Sequence, residues 1–201
     1  MVLGKIKIPS DKKSKEKKLL KKMKNKDKEA FIKAYDLYVD QIYRYIFFRV
    51  SSHDDACDLS SEVFLKTWNY ILSNDLKSEK TLRALIYKIA KTSIIDFYRK
   101  KSNLSNIAID DENNRIDIPD SRQDIKKQAE INSDFNIIEN KLRELKDEYR
   151  EIIILRFIDE LTIGEIADII NKTKGNARVL IHRSLKALRE LMDNDNNKYE
   201  Q

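Results

Sequence analysis

The chain has 201 residues, with Lys+Arg 40 against Asp+Glu 34 and a formal net charge of +6. Three glycines and two prolines are too few for sandwiches, barrels or nucleotide-binding glycine loops, and one cysteine excludes a disulfide framework or a cysteine-rich zinc site. No apolar run approaches the ~18–20 residues that span a bilayer and no signal-peptide core follows the basic start, so a cytoplasmic, all-α protein without membrane insertion is expected.

The charge is unevenly placed. Residues 1–30 hold twelve lysines and four acids. Residues 1–18, with Lys12, Lys13, Lys15, Lys17 and Lys18, are too polar to build a core. They are expected as a disordered basic tail, serving solubility or weak, salt-sensitive contact with nucleic acid. From Leu19 to Val50 the apolar residues Leu19, Leu20, Met23, Phe31, Ala34, Tyr35, Tyr38, Ile42 and Ile46 recur at steps of three and four, the stripe of amphipathic helix. The run Ser51 to Asp55 interrupts it, and Ser52 or Asp54 is suited to cap a second helix with Ala56, Leu59, Val63 and Phe64 inward. Asn74-Asp75 marks a loop. A third helix is predicted from about Thr81 to Lys101 on Leu82, Leu85, Ile86, Ile89, Ala90, Ile94 and Phe97, completing a first small domain over residues 19–102.

Residues 103–134 differ: eight acids face four bases, Asn113-Asn114 and Pro119 break periodicity, and Ile107, Ile109, Ile116 and Ile118 alternate as in a short strand. A stretch this long is read as a flexible acidic linker between domains. The second domain spans 135–192, with a tail at 193–201. Its sharpest signal runs from Leu161 to Ile170, where Thr162 and Glu165 fit a capping box and Ile163, Ile166, Ala167 and Ile170 share one face. Asn171-Lys172-Thr173 makes a short turn into a helix on which Ala177, Ile181, Ser184 and Leu188 recur at steps of four, three and four. Helix, tight turn and second helix make a helix-turn-helix unit.

From Asn171 to Arg189 there are six cations and no acid. With Ala177, Ile181 and Leu188 inward, Lys174, Gly175, Arg178 and His182 fall opposite, near the helix start that enters a major groove. Arg178 can donate twice to a guanine edge and Asn176 carries the amide that suits adenine, while Lys172, Arg183 and Lys186 are placed for phosphate. A solvated basic face on an ordinary helix is the plainer alternative. No nucleophile–base pair or metal constellation suggests an enzyme, His53, Asp54, Asp58 and Glu62 have no second cluster to complete a metal site, and no cofactor is expected.

Four stretches, taken in order, resemble the sigma factors of bacterial RNA polymerase, in the extracytoplasmic-function group of the sigma-70 family. They are LLKKMKNKDKEAFIKAYDLYVDQIYRYIFFRV, HDDACDLSSEVFLKTW, LRALIYKIAKTSIIDFYRKK, and LKDEYREIIILRFIDELTIGEIADIINKTKGNARVLIHRSLKALRELM. The resemblance implies a promoter-specificity subunit with a sigma region two bundle and a region four helix-turn-helix. Its partners would be core RNA polymerase (beta-prime clamp and beta flap), promoter DNA and an anti-sigma factor, and it would join the nucleoid when in holoenzyme.

Carried over residue by residue, the resemblance gives Asp58, Glu62 and Phe64 to the polymerase clamp, with Cys57 and Ser61 where the family has Glu and Gln. It gives the minus-ten element to Lys88, Lys91, Asp96, Arg99 and Lys100, with Thr92 where the family has Asn, and to Asn74 and Lys77 in the preceding loop. Tyr87, Tyr98 and Trp68 are nearby π surfaces, although Trp68 reads as core. The minus-thirty-five duplex falls to Lys172, Lys174, Asn176, Arg178, His182, Arg183 and Lys186, with Val179 and Leu180 at positions polar in the family. The linker acids Asp110, Asp111, Glu112, Asp117 and Asp120 would imitate RNA charge in the polymerase cleft, or form a plain tether. The rival reading of the residues is a dimeric helix-turn-helix repressor or activator.

Overall fold

A computed structural model describes residues 10–50, 52–73, 81–107 and 139–199. Helices α1 (Ser10–Lys24), α2 (Lys28–Val50), α3 (His53–Ser73) and α4 (Leu82–Ile107) build the first module. The basic segment expected as disordered through residue 18 is helical from Ser10, and its Glu16 accepts the backbone N–H of Arg83 at 3.1 Å. The single stripe expected from Leu19 to Val50 is two helices. Lys26 takes a left-handed φ of 61° in the break, and the Asp27 carboxylate caps α2 through the Ala30 N–H at 3.2 Å. Buried Met23 and Ala30 lie one heptad, or about two helical turns, apart, so the apolar phase runs on across the break and conceals it.

The other boundaries follow their caps. Ser52 Oγ accepts the Asp55 N–H at 3.3 Å to start α3, and Thr81 Oγ1 accepts the Ala84 N–H at 3.1 Å to start α4. Helix α4 continues to Ile107, into the stretch expected as linker, and the rest of that stretch, with its acids, lies outside the described residues. Ile42, Ile46, Val63, Leu82, Ile86, Ala90 and Ile94 fill the core, each large aliphatic contributing ~1.5–3 kcal/mol by its burial.

The second module contains a helical turn at 139–144, then α5 (Asp147–Ile153), α6 (Ile163–Ile169) and α7 (Lys174–Tyr199). The tail expected from residue 193 is thus a continuation of α7 as far as Tyr199. Arg150 ties the first corner by donating to the carbonyls of Leu142, Arg143 and Leu145. Helix α5 widens into a π-helical turn over Ile154–Ile158, closed by the Asp159 N–H on the Ile154 carbonyl at 2.9 Å. The expected capping box is present: the Thr162 hydroxyl accepts the Glu165 N–H at 3.3 Å, and the Glu165 carboxylate accepts the Thr162 N–H at 2.9 Å.

The two modules are packed together and share a buried apolar cluster. Helix α6 lies on α4, and α5 with its π turn lies on α2. Charged groups are buried in the contact. Glu151 on α5 accepts from the Tyr45 hydroxyl at 2.8 Å and Lys91 Nζ at 2.8 Å, and pairs with Arg49 at 3.4 Å. Arg49 also donates to Asp147 at 2.7 Å and to the Tyr45 hydroxyl at 2.9 Å.

Asp159, after the π turn, forms the second buried charge. Its backbone carbonyl accepts from Arg83, and its carboxylate stands 3.5 Å from Arg44 with neither oxygen in a well-aligned hydrogen bond. Burial pushes its carboxyl up to about 6, against the opposing pull of the Tyr87 hydroxyl and the Arg44 and Arg83 guanidinium groups.

A carboxyl whose folded value lies above its ordinary one favours the folded state more as pH falls. This group should therefore raise stability between pH 7.5 and 5.5, by about 1 kcal/mol. Asp159→Asn should remove that increment and be the more stable form at pH 7.5, as read by urea unfolding at both pH values. Thr162→Ala should cost about 1 kcal/mol in the same measurement by leaving the start of α6 uncapped.

Candidate nucleic-acid and polymerase interfaces

Helix α7 presents the arrangement its spacing predicted. Ala177, Leu180, Ile181 and Ser184 are buried, and the Ser184 hydroxyl returns to the Leu180 carbonyl at 2.8 Å. At 100° per residue this leaves Arg178, His182 and Lys186 on the outer face, flanked by Asn176 and Arg183, and all five are exposed. Lys174 at the helix start and Lys172 in the turn are exposed too. Thr173 caps the helix by accepting the Asn176 N–H at 3.2 Å. Lys172 pairs with Glu148 at 3.7 Å and Lys186 with Glu190 at 3.6 Å. Such solvated pairs are weak, so a phosphate can displace the carboxylate.

Two neighbours depart from expectation. Leu180 belongs to the core, which explains its apolar character, while Val179 is 49% exposed on the outer face. Gly175 has no positive φ, and a Cβ there would meet only Thr173 Oγ1 at 3.7 Å. Nothing inside the fold requires glycine at that position.

On the first module the expected minus-ten residues divide. Arg99 and Lys100 are exposed near the far end of α4. Lys88 and Lys91 point instead to the second module, Lys88 pairing with Asp168 at 3.4 Å and Lys91 with Glu151 at 2.8 Å. Asn74 and Lys77 lie outside the described residues. Tyr87, considered as a stacking surface, is fully buried and packs edge-on against Tyr45 with ring centroids 5.1 Å apart. Trp68 packs on Phe31 at 4.8 Å, as a core-flanking ring. Tyr98 is exposed, and its hydroxyl donates to the Arg49 carbonyl. Between α3 and α4 a groove of about 400 Å³ is floored by Leu85 and Ile89 and rimmed by Lys66, Tyr70, Lys88, Thr92, Ser93 and Asp96. Lys66 is held there by Glu62 at 2.7 Å and the Ser93 hydroxyl at 3.0 Å.

The expected polymerase contacts divide as well. Asp58 is exposed and Glu62 half-buried on one face of α3. Phe64 is corrected: it is 3% exposed, edge-on to Tyr35 at 4.7 Å, and supports the helix from inside. The apolar member of the outer face is Leu65, 61% exposed, with Leu72 one heptad further along. Sequence reading passed over them, although a leucine at i+3 from Glu62 and i+7 from Asp58 breaks a polar face and was the available signal. Cys57 is exposed beside His53, Sγ to Nε2 3.7 Å. Among the described residues no group of three or more His, Cys, Asp or Glu is placed to hold a metal, and no helix is long and apolar enough to cross a membrane.

Comparison with known proteins accounts for both modules. Residues 34–103 match the family model "Sigma-70 region 2" and residues 135–188 match "Sigma-70, region 4". The chain is 30% identical to the ECF RNA polymerase sigma factor SigW of Bacillus subtilis, over 87% of this chain and 95% of that protein. It is 27% identical to the RNA polymerase sigma factor SigV of the same organism, over 84% of this chain and 94% of that protein. In fold it resembles CnrH, solved in complex with the cytosolic domain of CnrY, with a TM-score of 0.68 and 16% identity over 90% of this chain and 99% of that one. It also resembles the sigma factor RpoE of Bartonella quintana, solved with the anti-sigma factor NepR, with a TM-score of 0.60 and 21% identity over 81% of this chain and 96% of that one.

Proposed function

Because the chain belongs to the sigma-70 family, as an extracytoplasmic-function sigma factor directing promoter-specific initiation by RNA polymerase, we propose how its own residues divide that task. Sigma factors are non-catalytic initiation factors that act with polymerase in the cytoplasm, so bond formation belongs to the enzyme and this chain supplies recognition. The observation that carries the assignment is the outer face of α7, where Arg178, His182 and Lys186 stand free of the core beside a capped α6. The start of α7 enters the major groove of the minus-thirty-five duplex. Arg178 and Asn176 face base edges there, and Lys172, Lys174, Arg183 and Lys186 take phosphates. A dimeric regulator is not favoured, since both sigma regions occur here in order.

In the first module, Lys88, Lys91, Arg99 and Lys100 follow the backbone of the melted minus-ten strand, and the groove beside Asp96 has the apolar floor and polar rim that suit an unstacked base. Asp58 and Glu62 meet the beta-prime clamp, with Leu65 adding apolar contact at the centre of that face. The second module reaches the beta flap, an anti-sigma protein holds the factor when it is not needed, and the holoenzyme carries it to the nucleoid.

Run-off transcription with core polymerase on a genomic library tests the function directly. The chain should impose start-site choice, and Asp58→Ala with Glu62→Ala should weaken its association with core polymerase while helical content is kept. Unchanged association would remove the clamp assignment. Arg178→Ala should reduce discrimination at one duplex position by ~1–3 kcal/mol, read by competition among promoter variants. A uniform loss across all sequences would make Arg178 a phosphate contact instead.

A further inference from the structure

Helix α1 has eight lysines in fifteen residues, with Asp11 and Glu16 as its acids. It is docked on the first module: Leu20 and Met23 are buried, and the Glu16 carboxylate accepts the Arg83 N–H at 3.1 Å. At 100° per residue, the side opposite Leu20 and Met23 carries Lys18, Lys21 and Lys22, all three exposed. Lys24, Lys26 and Lys28 extend the exposed charge through the turn into α2. Among the described residues no carboxylate pairs with any of these six lysines, whereas Lys66, Lys88, Lys91, Lys172 and Lys186 each have one. The nearest acids are engaged elsewhere, Glu16 at the start of α4 and Asp27 as the cap of α2.

A solvated helix commonly interleaves its charges, as α2 does with Glu29, Lys33, Asp36 and Asp40. On α1, Lys18 meets Lys21 and Lys22 at i+3 and i+4 as like charges, which weakens the helix. A polyanion laid along this face removes that repulsion. Position names the polyanion. The Glu16 contact sets α1 against the start of α4, about 24 Å along that helix from Arg99. A strand that follows α4 from Arg99 toward its start therefore runs on to α1.

We propose that the outer face of α1 is a further phosphate-binding surface of the first module, holding the DNA backbone that flanks the minus-ten element on the side away from Arg99 and Lys100. The inference rests on α4 being the minus-ten helix. The contact is electrostatic and reads no base, so it adds affinity and salt dependence to whatever promoter the chain selects. A lipid surface fits less well. An interfacial helix needs an apolar side to enter the bilayer, and Leu20 and Met23 are already inside the protein. No large apolar side chain of α1 is exposed among the described residues.

The test uses the full chain with Lys18→Gln, Lys21→Gln and Lys22→Gln together. Its readout is the anisotropy of a fluorescein-labelled A/T-rich single-stranded 24-mer between about 50 and 200 mM salt. Each phosphate contact on a single strand contributes about 0.7 to the slope of log affinity against log salt, so that slope should fall by about 2. Affinity near 0.1 M salt should fall on the order of tenfold. Lys21→Gln alone should lower the slope by about 0.7. Thermal unfolding should stay level or move up, because the triple variant loses like-charge pairs. The same charge change elsewhere, Lys33→Gln, Arg143→Gln and Lys146→Gln together, should leave slope and affinity near wild type.

Unchanged slope in the α1 variants, or an equal loss in the control, would overturn the proposal. So would tighter binding of the wild type to phosphatidylserine vesicles than to the 24-mer. Arg99→Gln with Lys100→Gln is measured in parallel and reports on α4. If that pair leaves affinity unchanged while the α1 variant loses it, the minus-ten reading fails and the DNA surface on α1 stands. If the α4 pair alone loses affinity, the α1 surface falls.

Discussion

A carboxylate buried among groups from another part of the chain organises this structure. Glu151 leaves water only because Tyr45, Arg49 and Lys91 together replace its hydration, and Arg49 is fixed in turn by Asp147 and by the Tyr45 hydroxyl. The cluster raises the Arg49 guanidinium pKa further: burial alone would lower it, but Tyr45, Glu151 and Asp147 outweigh that effect. Removing any one member would strand a charge in a poorly solvated place. The relative position of the two modules is thereby a single geometric fact, shared by α2, α4 and α5.

Around that contact exposed and covered faces are separated. The outer side of α7 and Asp58 and Leu65 on α3 are exposed, whereas Lys88 and Lys91 at the head of α4 are half-buried against carboxylates of the second module. The π turn at Ile154–Ile158 contributes to this division. By closing on a carbonyl five residues back it ends α5 early and sets Asp159 against Arg83 and Arg44. Asp159 is then a carboxyl held by burial close to neutral pH, which ties the packing of the modules to acidity as well as to charge.

Recognition in such a chain depends on which cations are free, not on how many there are. Lys172 before α7 and Lys186 on it pair with the exposed carboxylates of Glu148 and Glu190 and can exchange them for phosphate at little cost. Lys91 of α4 meets the buried carboxylate of Glu151, and Lys88 meets the partly exposed one of Asp168. One chain thus carries two cationic surfaces of similar composition and different availability.

Helical class, the capped helix-turn-helix, the inward residues of α3 and α4, and the outward set on α7 were all readable in the sequence, because each depends on spacing within one helix or on a cap three residues away. The same local logic hid the break at Lys26, whose flanking helices keep a common apolar phase, whereas it placed Phe64 inward correctly and only motif likeness, which carries no burial, gave that residue to the polymerase. Tyr87 changed role for the same reason: its neighbour across the core is Tyr45, remote in sequence. The pairing of Lys91 with Glu151 and of Lys88 with Asp168 had no signature at all, since the partners lie 60 and 80 residues apart in sequence. Periodicity and capping are properties of neighbours along a helix and so are written in the sequence. Whether a charge meets water, DNA or a carboxylate is set by the packing of one module on the other, which only the tertiary structure decides.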